Sequence, residues 1–193
     1  MRRLRLIRTE GVPDEVFDFA RALYEKRFSG LLEAEVSGRE VTLEGKRHRP
    51  GARGRQYLAD DILRDGGSEG GGAAIVITSA DIYTYGTNYI FGLATIGAGL
   101  VSTARIDPNF WDFLPEIYRY SEKGKGFFLR QLGKVLLHEL GHALSLGHCH
   151  EPGCVMRYSN SPIELYSKGE DYCAGCWKKL VSFLRRDCDV KVS

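Results

Sequence analysis

The first 148 residues of this 193-residue chain contain no cysteine, and all five cysteines fall between Cys149 and Cys188. A disulfide framework spreads its cysteines across the fold it staples, so this clustering points to metal ligation in a reducing cytoplasm. No signal-like apolar core is present at the N-terminus, where Met1–Arg8 alternates basic and apolar groups. Long apolar runs are missing as well. Residues 82–104 carry no charge, yet four glycines and five threonines or serines break them into strands and turns, which excludes a membrane span. Nor does one sign of charge dominate. With 27 Lys and Arg against 25 Asp and Glu, the net charge of +2 gives no basis for a generic polyanion binder. What is present, 43% hydrophobic and 27% charged residues, is the composition of one globular domain, taken as a monomer by default.

Residues 2–8 alternate like a strand, and Pro13-Asp14-Glu15 opens an amphipathic helix running to about Phe28. Leu31–Val36 and Val41–Leu43 read as short strands joined through Gly38, and Lys46–Arg55 as a base-rich loop. That loop is the one candidate for RNA contact, and it reads as solvated because no aromatic residues are interleaved with its charges. A second helix is expected over Gln56–Arg64, then a glycine link through Gly66, Gly67 and Gly70–Gly72. Ala74–Thr78 has the β-branched character of a central strand. Further strands are expected near Tyr89–Thr95 and Leu100–Ile106. Helices are expected over Asn109–Tyr120, Phe127–Ser145 and Cys176–Arg186. This order predicts an α/β (α+β) domain with a mixed sheet.

The chemistry is concentrated in His138-Glu139-Leu140-Gly141-His142. On a helix, positions four apart share a face, about 40° apart in rotation and about 6 Å in rise. Two imidazoles so placed can converge on one zinc ion, while Glu139, about 100° round from His138, is placed to take a proton from water rather than to ligate. Two core histidines satisfied by hydrogen bonds are the ordinary alternative. His148 joins the set only if the chain reverses sharply after His142. The longer pattern HExxHxxGxxH places glycine at that reversal, whereas this chain has Ser145 there.

Beyond His148 come Cys149, Cys154, Cys173 and Cys176, spaced C-x4-C and C-x2-C, which suits a closed four-thiolate zinc site. A redox Cys173/Cys176 pair, or His150 in place of Cys149, are alternatives, and Cys188 is left over. Across residues 135–176, this run of His138, Glu139, His142, His148, Cys149, Cys154, Met156, Cys173 and Cys176 resembles the archaemetzincin family of zinc metallopeptidases.

The resemblance implies a metzincin-like fold in a single catalytic domain spanning 1–193. An upper part to about residue 147 would hold a twisted mixed sheet and the active-site helix, and a small lower part would cover about 148–193. It implies two zinc ions. His138, His142 and His148 would hold the catalytic one, Glu139 would be the general base, and Cys149, Cys154, Cys173 and Cys176 would hold the structural one. Met156 would lie beneath the metal, and Tyr158 is either an oxyanion stabiliser or a packed aromatic. The implied activity is hydrolysis of peptide bonds in a peptide or protein substrate lying along the Tyr89–Thr95 edge strand, with no nucleic-acid or membrane partner. The rival class is a non-catalytic zinc protein that binds a protein or RNA partner.

Overall fold

A computed structural model describes residues 2–67, 72–113, 115–116 and 122–186. In chain order these form β1 (Arg2–Thr9), α1 (Asp14–Arg27), β2 (Leu32–Val41), β3 (His48–Gly51), β4 (Gly54–Leu58), α2 (Ala59–Asp65), β5 (Ala73–Thr78), β6 (Asp81–Tyr83), β7 (Gly92–Thr95), β8 (Ala98–Ser102), α3 (Glu122–Ala143), α4 (Pro162–Ser167) and α5 (Ala174–Arg186). A short 3-10 turn spans Pro108–Phe110. Cys188, Leu114 and residues 117–120 of the expected Asn109–Tyr120 helix, and Gly70 and Gly71 of the glycine link lie outside the described residues; the described start of that helix is the 3-10 turn, and Trp111–Phe113 after it is not helical.

Five strands make a mixed sheet in the order β2-β1-β5-β8-β7. The first four run parallel, and β7 runs antiparallel to β8 at the edge. A parallel strand covered on both faces needs apolar side chains on both, and β5 has them. Its Ile75 and Ile77 join the larger core, with Val16, Phe17, Ala20 and Tyr24 of α1 and Leu132, Leu136 and Leu140 of α3. Its Ala74 and Val76 join a smaller core with Ala59, Ile62 and Leu63 of α2. The sheet is therefore sandwiched between helices. Helix α5 returns to the larger core through Leu180 and Leu184. No helix among the described residues is long and apolar enough to cross a membrane.

The hairpin between β7 and β8 turns at Ile96-Gly97, where Gly97 takes a φ of 85°. Its tip is tied down on both sides. The Gly97 N–H donates to the Ala143 carbonyl at the end of α3, and the Gly97 carbonyl accepts from Ala74 of β5. This places the edge strand directly against the helix that carries the histidines.

Several elements differ from the sequence expectation. The two short strands around Gly38 are one strand, β2, whose register against β1 slips between Leu6 and Arg8 to absorb the extra residues as a bulge. Lys46–Arg55 is ordered in the β3–β4 hairpin, and Gln56–Leu58 continues β4 instead of starting a helix. Tertiary pairing overrides helix propensity there: β4 pairs in parallel with β6, and the buried Gln56 side chain donates to the Asn88 carbonyl. The basic residues are engaged as well. Arg47 forks onto Asp61, and Arg49 donates to Gln56 and to the carbonyls of Thr87 and Asn88. After Ser102 the chain turns, so β8 is shorter than the expected Leu100–Ile106.

Candidate metal and active site

Helix α3 ends in a Schellman motif. The Leu146 N–H donates back to the Gly141 carbonyl at 2.8 Å and the Ser145 N–H to the His142 carbonyl at 2.9 Å. The residue that must turn left-handed is Ser145, with a φ of 69°, and no other non-glycine among the described residues has a positive φ. The reversal expected from a glycine is thus made by a serine at a modest strain cost.

The turn brings His148 back onto the histidine face of α3. Nε2 of His142 lies 3.1 Å from Nε2 of His138 and 3.2 Å from Nε2 of His148. Nδ1 of His138 sits 2.8 Å from the Val155 carbonyl, and Nδ1 of His142 sits 2.8 Å from the Leu146 carbonyl. A carbonyl only accepts, so both Nδ1 atoms carry the hydrogen and both Nε2 atoms present lone pairs. Lone pairs aimed at one another repel unless a cation lies between them. Tetrahedral zinc with Zn–N of about 2.0–2.1 Å calls for nitrogens about 3.3 Å apart, so the spacing fits the ion. Burial, then the nearby Lys168 ammonium, holds His138 down at about 2, and burial lowers His142 and His148 as well. All three are thereby kept neutral, the form that binds metal.

Glu139, 5% exposed, packs its carboxyl against the edge strand. Burial pushes its carboxyl up to about 8, against the opposing pull of Lys168. A Cβ placed on Gly92 of β7 would lie 2.5 Å from Glu139 Oε1, so this close approach needs a residue without a side chain. Histidines, glutamate and edge strand line one cleft of about 740 Å³, together with Tyr158, Ser159, Asn160, Leu165 and Lys168. Tyr158 is exposed, its ring 5.0 Å from that of His148.

Met156 is fully buried beneath α3. Its thioether fills the space over Gly141, where a Cβ would come within 2.3 Å of Sδ. The Cys149 N–H donates to the Met156 carbonyl, and the Val155 N–H to that of Asp171, which closes the loop around the cysteines.

Cys149, Cys154, Cys173 and Cys176 converge with all four sulfurs within 4.8 Å of one another. None is in a disulfide. The Sγ atoms of Cys149 and Cys173 are 3.8 Å apart, matching about 3.8 Å for a tetrahedron with Zn–S of about 2.3 Å. Cys173 caps α5. The Cys176 backbone N–H bonds to its sulfur and lowers its thiol to about 7, whereas burial pushes Cys154 and Cys176 up. The donor set suits a soft, thiolate-loving ion.

The structure thus brings together each histidine and cysteine singled out by spacing, in two separate clusters. Three participants lacked a motif. Gly92 left a faint signal as an isolated glycine in a strand, whereas Lys168 and Ser159 left none.

The profile of peptidase family M54 matches residues 58–182, about two thirds of the chain. An archaemetzincin from Pyrococcus horikoshii is 40% identical over 116 residues, covering 59% of this chain and 57% of that protein. The matched stretch therefore spans little more than half the length of such curated relatives. The crystal structure of an archaemetzincin from Methanopyrus kandleri superposes with a TM-score of 0.72 at 30% identity, covering 96% of each chain. That of an archaemetzincin from Archaeoglobus fulgidus superposes with a TM-score of 0.71 at 26% identity, over 91% of this chain and 99% of the other. The mixed sheet, the two ligand clusters and this match lead to one assignment: the chain belongs to peptidase family M54.

Proposed function

We propose that this chain is a zinc-dependent metallopeptidase. His138, His142 and His148 hold a catalytic zinc, Glu139 is the general base, and Cys149, Cys154, Cys173 and Cys176 hold a structural zinc. The observation that carries the reading is the convergence of three histidines, Nε2 of His142 lying 3.1 and 3.2 Å from those of His138 and His148, beside a buried carboxyl that faces an edge strand. A zinc ion in this site supplies Lewis acidity, lowering the pKa of water and polarising the substrate carbonyl.

The protein's own groups do the rest. An extended peptide adds to the free edge of β7, which sets its carbonyl opposite the histidines. Glu139 takes the proton from the attacking water and passes it to the departing amine as the C–N bond breaks. The raised affinity of Glu139 for a proton suits both halves of that transfer. The free thiols suit a reducing compartment, the cytoplasm.

Substituting Glu139→Gln tests the role. The zinc content is expected to equal that of the parent while peptide turnover falls by at least about 10³-fold. Retained turnover at full zinc occupancy would remove Glu139 from the mechanism.

A further inference from the structure

Buried ammonium groups need acceptors, and two lysines, Lys134 and Lys168, are buried. Lys134 of α3 is wrapped by backbone, donating to the carbonyls of Leu165 and Tyr166 at 3.2 and 2.9 Å. Lys168, after α4, is 5% exposed and lines the cleft itself. Its Nζ lies 3.3 Å from the Arg157 carbonyl and 3.4 Å from Nδ1 of His138. That Nδ1 already carries a hydrogen directed at Val155, so it cannot accept from Lys168. Three N–H bonds therefore face one acceptor. No carboxylate pairs with Lys168 among the described residues; Glu139 acts on it only through space, its own carboxyl being packed against Gly92. A second group in the cleft lining is also unserved: Ser159 Oγ is buried and has no partner.

We infer that this part of the cleft is a subsite for a substrate carboxylate, received by Lys168, to which the Ser159 hydroxyl adds a second donor once its side chain turns into the cleft. The substrates are then peptides with an acidic side chain, or a free C-terminus, close to the scissile bond. The inference rests on the peptidase reading and narrows it to a substrate class. A carboxylate entering the subsite completes the ammonium's hydrogen bonds in a water-poor setting, where charge-assisted bonds are strong. An apolar or amide group entering it leaves the ammonium short of an acceptor, and such a mismatch is what discriminates between ligands.

The test uses the full chain loaded with zinc and carrying Glu139→Gln, so that peptides bind without turnover. A single glutamate is walked through an otherwise neutral, end-blocked peptide and compared with glutamine at each position, beside the same glutamine peptide with a free C-terminal carboxylate. Calorimetry is expected to show about tenfold tighter binding for one glutamate position or for the free acid, and which of the two wins identifies the source of the carboxylate. Lys168→Met is expected to abolish the preference and Lys168→Arg to keep part of it. Equal binding of all the peptides, or a preference unchanged in folded, zinc-replete Lys168→Met, overturns the subsite. Parent protein that cleaves peptides without favouring acidic ones also defeats the subsite but leaves the peptidase reading standing. Selective binding without any cleavage by the parent defeats the peptidase reading instead.

Discussion

The carboxyl of Glu139 rests against the backbone of Gly92, leaving no room for even a methyl group between the helix that carries Glu139 and the edge strand. Strand and carboxyl therefore share one space. Gly92→Ala is expected to fold, because the atoms it meets belong to a flexible side chain, but to push the carboxyl out of line. Turnover should fall by roughly 10²-fold, the usual cost of misplacing a reacting group by about 1 Å. Measuring kcat beside zinc content separates this from metal loss, which should not occur.

Ser145 holds a left-handed conformation that costs an L-residue about 1–2 kcal/mol. Ser145→Gly relieves that strain and adds some freedom to the unfolded chain, for a net gain of about 0.5–1 kcal/mol. A thermal scan should show the midpoint raised by roughly 1–4 °C, with turnover unchanged. Ser145→Val, which places a β-branched side chain at the same φ, should lower the midpoint.

The two metal clusters should also separate by mutation. His142→Ala is expected to lose one zinc per chain and all turnover while unfolding near the parent temperature. Cys173→Ala is expected to lose the other zinc and unfold well below it, since a structural zinc contributes several kcal/mol or more to folding. Because Cys149 follows His148 directly, losing the thiolate site should also loosen the third histidine. Elemental analysis of the parent and both variants gives the count.

Asp61 offers a pH test away from the cleft. The Arg47 guanidinium, bonded to it at 2.6 and 2.8 Å, holds its carboxyl well below the usual carboxylate range. A depressed folded value means that the stabilisation is present above the unfolded pKa of about 3.9 and is lost as pH falls through the folded value. The difference in melting temperature between parent and Asp61→Asn should therefore be full at pH 6 and shrink progressively below about pH 4.

The two clusters were legible because a metal site imposes its own arithmetic on a chain. Histidines four apart must share a helical face, and paired cysteines must sit at loop-sized intervals. The apolar positions of α3 and the β-branched run of β5 were legible for a similar reason, since burial repeats apolar residues at the period of each element. Gln56–Leu58 was not legible, because its extended conformation is held by β6 and the Asn88 carbonyl, more than twenty residues away in sequence. Lys168 was hidden in the same way. One lysine in a polar loop looks solvated until the fold closes the Arg157 carbonyl and the His138 ring over it.

A single turn of α3 is committed in four directions. His138 and His142 face the cleft, Glu139 faces β7, Leu140 is in the core, and Gly141 lies under the Met156 thioether. Such a turn has no idle position at which change is harmless. Leu140 cannot become polar, a carbon added to Gly141 displaces the Met156 thioether, and neither histidine has a substitute of the same reach. A change in what the cleft holds therefore escapes these constraints only away from this turn, at lining positions such as Thr95, Ile96 and Asn160.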